Sequence, residues 1–199
     1  MSPDRAQIAT EFGRLLDEHL AGVERARSLL APAAHLAEAA ISVLRAGGKL
    51  LLCGNGGSAA DCQHIATELT VRFEADRVAL PAISLTTDTS TLTAAGNDYG
   101  FEQIFARQVD ALGRKGDLLI GITTSGNSPN IVAALKTARA EGLVTACLTG
   151  RDGGLIAREN LADHCLVVPS DVTARIQEVH ILIGHMLCSA IEAAFAGKG

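Results

Sequence analysis

The sequence predicts an α/β fold: a three-layer αβα sandwich on a five-stranded parallel sheet, preceded by N-terminal helices. From residue 47 onward, short apolar runs alternate with amphipathic helical stretches, the pattern of a parallel sheet with crossover helices. The apolar runs lack inside/outside alternation, as strands covered on both faces do. The first 46 residues carry helical periodicity alone.

In that N-terminal part Ile8, Phe12, Leu15, Leu16, His19, Leu20 and Val23 recur at three- and four-residue spacing and make one apolar helix face. Pro32 interrupts the run, and Leu36, Ala40, Ile41 and Leu44 begin a second helix that Gly47 and Gly48 end. Strands are expected at 49–53, 82–85, 118–122, 144–148 and 164–168, and helices at 58–73, 101–112, 129–141, 154–160 and 173–195. The length suits one unit, 1–199, with helices over 1–46 and the α/β core with its C-terminal helix over 47–199. In open parallel sheets ligands bind beyond the carboxyl ends of the strands, which here means loops 54–58, 86–98, 123–128 and 149–154.

Composition narrows the class. The chain has 17 basic and 22 acidic side chains, a net charge of −5, and Arg114-Lys115 is its one adjacent basic pair, which argues against a nucleic-acid groove. No run of about 18 uncharged apolar residues is present, so no membrane span is expected. Met1 to Arg14 mixes acids with bases and has no apolar core of a signal peptide. Cys53, Cys62, Cys147, Cys165 and Cys188 form no C-x-x-C and sit mostly in apolar runs, the pattern of reduced thiols in a cytoplasmic protein.

Two loops have the make-up of an anion site. Thr123-Thr-Ser-Gly-Asn-Ser128 follows a strand and opens a helix, with Ser128 as N-cap and Pro129 at the first helical position. Helix-start amides with four hydroxyl side chains make a phosphate cradle that needs no cationic side chain. Gly54-Asn-Gly-Gly-Ser58 has the same setting, with Ser58 as a possible cap. With Ala59 it reads G-x-G-x-x-A, a weak dinucleotide fingerprint without the acidic residue at the expected place, and no G-K-[ST] of a P-loop occurs. Close backbone approach to a small ligand is the better use of these glycines.

His64 and Glu68 lie four apart, on one face of the helix after the first loop. The last helix carries Gln177, His180 and His185. Gln177 and His185 differ by about 80° in direction and about 12 Å in rise. Gln177 and His180 are only three apart, and spacing alone does not choose between the two histidines.

These residues together resemble a known family. The run Gly54-Asn-Gly-Gly-Ser-Ala-Ala-Asp-Cys-Gln-His64, with Thr87-Asp88, Gly96-Asn-Asp-Tyr-Gly100, Thr124-Ser-Gly-Asn-Ser128 and Arg175-Ile-Gln-Glu-Val-His180, closely resembles the bacterial phosphoheptose (sedoheptulose-7-phosphate) isomerases of the sugar-isomerase (SIS) domain superfamily. The resemblance spans essentially the whole chain. It implies a cytoplasmic homotetramer, with active sites between subunits, that converts sedoheptulose 7-phosphate to D-glycero-D-manno-heptose 7-phosphate for the heptoses of lipopolysaccharide core or other surface glycans. It implies Zn²⁺ held by His64, Glu68, Gln177 and His185, and so prefers His185 over His180. A span of about 12 Å then requires both long side chains to lean toward one ion, or subunits to share it. The implied substrate contacts are Asn55, Gly56, Gly57, Glu68, Arg72, Asn97, Asp98, Thr123, Thr124, Ser125, Ser128 and Gln177. Thr123 replaces the serine often found in the family and keeps the hydroxyl. For ketose–aldose isomerisation Glu68 is the assigned base and His185 the acid. SIS proteins that partner the replication initiator as tetramers share the same loops but typically lack the residues corresponding to Glu68 and His185. This chain has both.

Overall fold

The computed structural model describes residues 4–197, so the first three and last two residues of the expected unit lie outside it, as does the start of the Met1–Arg14 stretch. Helix α1 (Arg5–Arg25) passes through a 3₁₀ turn, Ala26–Leu29, into α2 (Leu30–Arg45). Then follow β1 (Leu50–Gly54), α3 (Gly57–Thr70), β2 (Ala82–Ser84) and α4 (Thr89–Tyr99). A 3₁₀ turn, Phe101–Gln103, leads to α5 (Ala106–Leu112), β3 (Leu118–Ile122), α6 (Pro129–Ala140), β4 (Val144–Gly150), α7 (Gly154–Arg158), β5 (His164–Val168) and α8 (Thr173–Phe195).

The five strands form one sheet in the order β2-β1-β3-β4-β5, and every pair is parallel. Successive strand residues face opposite layers. Leu50, Leu52, Leu118, Ile120 and Leu148 pack with α2, α3 and α8. Leu51, Cys53, Leu119 and Cys147 pack with α5 and α6. Both layers are apolar, and for that reason the strands show no alternation in sequence. The chain leaves β1 to one side for β2 and returns to the other side for β3, so the topological switch point lies between β1 and β3.

Some sequence expectations are corrected. The stretch 86–98 is not all loop: Asp88 caps α4 by accepting from the Thr91 N–H. The expected helix 101–112 is a 3₁₀ turn followed by α5, with a break at Ile104 and Phe105. Pro32 sits in the first turn of α2, where its missing N–H costs nothing, and the break falls at 26–29 instead. Helix α8 is long and apolar enough to cross a membrane, but half of its most apolar window is buried in this fold, as in a core helix.

The cysteines are free thiols, and burial pushes that of Cys53 up to about 12, so it acts as a small hydrophobe. His180 is fully buried, and its Nε2 bonds to the carbonyl oxygen of Thr149 on β4 at 3.0 Å. A carbonyl only accepts, so Nε2 carries the proton. Burial lowers the His180 pKa from 6.5 to about 4 despite that bond. The unfolded chain therefore binds this proton more readily than the fold does, and stability falls as pH drops from 6.5 toward 4. Denaturation midpoints measured over that range should fall with pH, and His180→Gln should flatten the slope. An unchanged slope would contradict the assignment.

Candidate active site

The two loops of the switch point are joined by a reciprocal amide pair. Asn55 Nδ2 donates to Asn130 Oδ1 at 2.9 Å, and Asn130 Nδ2 donates to Asn55 Oδ1 at 2.8 Å. The β1 loop turns into α3 at Gly56, whose φ of +56° suits a glycine. Ser58 does not cap this helix. It is buried inside the first turn against Gly54, where a Cβ would lie 2.7 Å from the Ser58 carbonyl oxygen.

After β3, Ser128 occupies the N-cap position of α6, with Pro129 following, but its hydroxyl makes no cap bond. It pairs instead with Thr123 Oγ1 at 2.9 Å. No side chain caps the first turn of α6: Pro129 brings no N–H, and the Ile131 N–H bonds to the Ser128 carbonyl at 3.0 Å, which leaves the Asn130 amide for an anion at this helix start. Ser125 Oγ accepts the Asn127 N–H at 3.2 Å, and Asn127 Oδ1 accepts the Leu155 N–H at 2.8 Å, tying this loop to α7. Thr124 and Ser125 are half-buried.

The remaining candidates lie where α3 and α8 run side by side. The two helices are parallel: Gly57 meets Gln177, Ile65 meets Gly184, and His64 meets His185. His64 Nε2 is 3.0 Å from His185 Nε2 and 3.3 Å from Glu68 Oε1. The Gln177 amide lies over Gly57, where an added Cβ would come within 2.7 Å of its nitrogen. That is about two helical turns before His64. Loop and cluster thus stand at opposite ends of one line along α3.

Other expected residues are elsewhere. Arg72 is exposed and donates to the Glu74 carbonyl at 3.1 Å. Asn97 and Asp98 are exposed on the last turn of α4, where Asn97 Nδ2 donates to Asp98 Oδ1 at 2.8 Å. Asp98 lines an open groove between α4 and α5 rather than the α3/α8 cluster. Of the two histidines that spacing left open, His180 faces the sheet and His185 meets His64.

Asp61 and Phe73 also belong here. Asp61 lies one turn before His64, and its Oδ2 is buried without a hydrogen-bond partner. Burial raises its carboxyl pKa, and His64 and His185 pull it back. Its i, i+3 spacing from His64 is a signal that the sequence carries. Phe73 stacks on the His185 ring, with centroids 5.7 Å apart and planes at 28°. No local pattern announces that contact.

Two imidazole nitrogens at 3.0 Å need a proton or a cation between their lone pairs. Tetrahedral Zn–N bonds of about 2.0–2.1 Å set the nitrogens about 3.3 Å apart, so a few tenths of an ångström of opening would admit the ion. Imidazole and carboxylate donors suit Zn²⁺, and the unpartnered Asp61 oxygen adds negative charge beside them. Among the described residues no three His, Cys, Asp or Glu side chains form a ready ligand cage.

The SIS domain family profile matches residues 14–150. The phosphoheptose isomerase of Paramagnetospirillum magneticum is 54% identical over 193 residues, covering 94% of this chain and 98% of its own. Phosphoheptose isomerase 1 of Campylobacter jejuni is 53% identical over 178 residues, covering 89% and 95%. Among solved structures, the phosphoheptose isomerase of Neisseria gonorrhoeae superposes with a TM-score of 0.87 at 45% identity, covering 94% of this chain and 99% of its own. That of Francisella tularensis gives a TM-score of 0.89 at 43% identity, covering 93% and 98%. With five parallel strands, a hydroxyl-rich loop at the switch point and this degree of identity along nearly its whole length, the chain belongs to the phosphoheptose isomerase family of SIS-domain proteins.

Proposed function

We propose that the chain is an aldose–ketose isomerase that converts sedoheptulose 7-phosphate to D-glycero-D-manno-heptose 7-phosphate through a cis-enediol. The carrying observation is the meeting of His64, Glu68 and His185 between α3 and α8, in a chain of this family. The presence of both Glu68 and His185 argues against a non-catalytic partner of the replication initiator. The product would enter nucleotide-activated heptose synthesis for lipopolysaccharide core or other surface glycans, in the cytoplasm.

In this reading the phosphate rests on Thr123, Thr124, Ser125 and Ser128 and on the Asn130 amide at the positive end of α6. Asn55, Gly56, Gly57 and Gln177 line the sugar, and phosphate binding positions C1 and C2 farther along α3. Glu68 takes a proton from C1 of the open-chain ketose. The electron pair forms the C1=C2 bond, and the C2 oxygen takes a proton from His185. The enediol then collapses the other way: O1 gives its proton to His185, and Glu68 returns one to C2, leaving the aldehyde at C1. A Zn²⁺ would be held by His64, Glu68 and His185, with Gln177 completing the set only by swinging away from Gly57, and would supply charge stabilisation for the developing oxyanion. Each bifunctional side chain has two atoms for its two duties. Glu68 Oε1 and His185 Nε2 face His64, which leaves Oε2 and Nδ1 for protons.

A homotetramer completes the site. The α1 face is apolar and bare: Phe12 is 66% exposed and Leu16 58%. Such a face fits burial against another copy. Neighbouring subunits would also bring Asn97 and Asp98 of α4 toward the α3/α8 cluster, from which they lie apart within one chain.

The purified protein should turn over sedoheptulose 7-phosphate. Glu68→Gln should lower kcat by about 10²–10⁴-fold while substrate still binds. Near-normal kinetics in that variant would remove Glu68 as base. Exhaustive chelation should abolish turnover and added Zn²⁺ should restore it; full activity after chelation would exclude the ion. Light scattering should give the mass of four chains, falling to one or two in Phe12→Glu/Leu16→Glu. An unchanged mass would contradict assembly through α1.

A further inference from the structure

The segment between α3 and β2 carries Arg72 and Phe73 without regular secondary structure of its own over most of its length. It is held from α8. The buried Glu192 carboxylate accepts three successive backbone N–H groups, those of Phe73 at 3.1 Å, Glu74 at 3.0 Å and Ala75 at 2.8 Å. The Ala75 N–H above all, with those of Glu74 and Phe73 and the Arg77 charge, holds this carboxyl below its ordinary pKa against its burial.

Arg77 is the second half of the latch. Its guanidinium is buried, with Nε 3.8 Å from Glu192 Oε1. Nη1 donates to the carbonyls of Leu69 at 2.7 Å and Val78 at 2.8 Å, and Nη2 donates to that of Glu68 at 2.6 Å. Carbonyls in the last turn of a helix lack intrahelical partners, so Arg77 closes the end of α3 at the residue that carries the assigned base. Glu192 and His185 are seven apart on α8, about two turns, and so share one face. One helix therefore presents an imidazole and, two turns on, the carboxylate that fixes the ring stacked on that imidazole.

We propose that Glu192 is a positioning residue for the isomerisation: it holds loop 71–76 so that Phe73 braces the His185 ring, and with Arg77 it sets the last turn of α3 that carries Glu68. This rests on the isomerase reading above. Neither residue touches the reacting atoms. A charged group satisfied by three amides in a buried setting makes a stiff tie, and removing the charge loosens it without emptying the space.

The test is a double-mutant cycle in the full chain, read as kcat and KM separately. Wild-type turnover of sedoheptulose 7-phosphate tests the isomerase reading by itself. Glu192→Gln, which keeps the length and one acceptor oxygen, should lower kcat about tenfold with KM within about threefold, and Phe73→Ala should do the same. If the two act through one contact, the double variant falls no further than the worse single variant. An unchanged kcat in Glu192→Gln, or single effects that multiply to about a hundredfold, overturns the proposal. Hydrogen exchange in the wild-type protein needs no substitution and covers the case in which Glu192→Gln does not fold. The Phe73, Glu74 and Ala75 amides should be protected at neutral pH, and exchange at free-peptide rates overturns the latch. A wild-type chain that leaves the sugar phosphate untouched overturns the isomerase reading, and the protection pattern still decides the latch.

Discussion

Helices α3 and α8 touch at Gly184, where a Cβ would lie 2.7 Å from Ile65 Cδ1, and the rest of the site depends on that close approach. A larger residue there would have to displace the Ile65 side chain, next to the line where His64 faces His185. The contact at Gly57 repeats the theme one end earlier, since an added Cβ would displace the Gln177 amide from its present place. The sheet supplies the other constraint. Because α3 starts directly after β1, and Asn55 is locked to Asn130 at the start of α6, the strand register fixes where helix α3 begins relative to the phosphate loop.

The electrostatics are local. A chain of net charge −5 is poorly suited to attract a phosphosugar at long range. The attraction lies in the hydroxyls and the helix dipole at the α6 start, where the hydroxyl of Ser128 bonds to Thr123 and leaves the Asn130 amide uncapped. At the far end His64 meets both His185 and Glu68, and one turn earlier on α3 the Asp61 Oδ2 is buried without a partner. Paired imidazoles beside a carboxylate, with an unsatisfied oxygen nearby, suit a cation or a reacting polar ligand.

Much of the fold was legible because its causes are local in sequence. Leu50 to Cys53 read as a strand without alternation because Leu50 and Leu52 feed one core layer and Leu51 and Cys53 the other. Helix α8 was readable to its exact ends from its apolar periodicity. Helix α4 was missed because Thr, Ser, Gly and Asn fill it and mimic a loop, and only Asp88 marks its start. Ser58 and Ser128 looked like caps by position, but α3 already starts at Gly57, which puts Ser58 inside its first turn, and the Ser128 hydroxyl pairs with Thr123. The loops and the His64–Glu68 pair were visible as motifs, whereas the choice of His185 over His180 needed the family resemblance or the sheet beneath His180. The grip of Glu192 on residues 73–75 joins positions more than a hundred residues apart and leaves no local trace.

A crystal structure of Glu68→Gln soaked with sedoheptulose 7-phosphate tests the placement of the reaction most directly. The phosphate should lie against the hydroxyls of Thr123, Thr124, Ser125 and Ser128, with the sugar chain running along α3 and C1 and C2 between residue 68 and His185. A phosphate seated elsewhere, as in the groove between α4 and α5, or reacting carbons remote from His185, would contradict it.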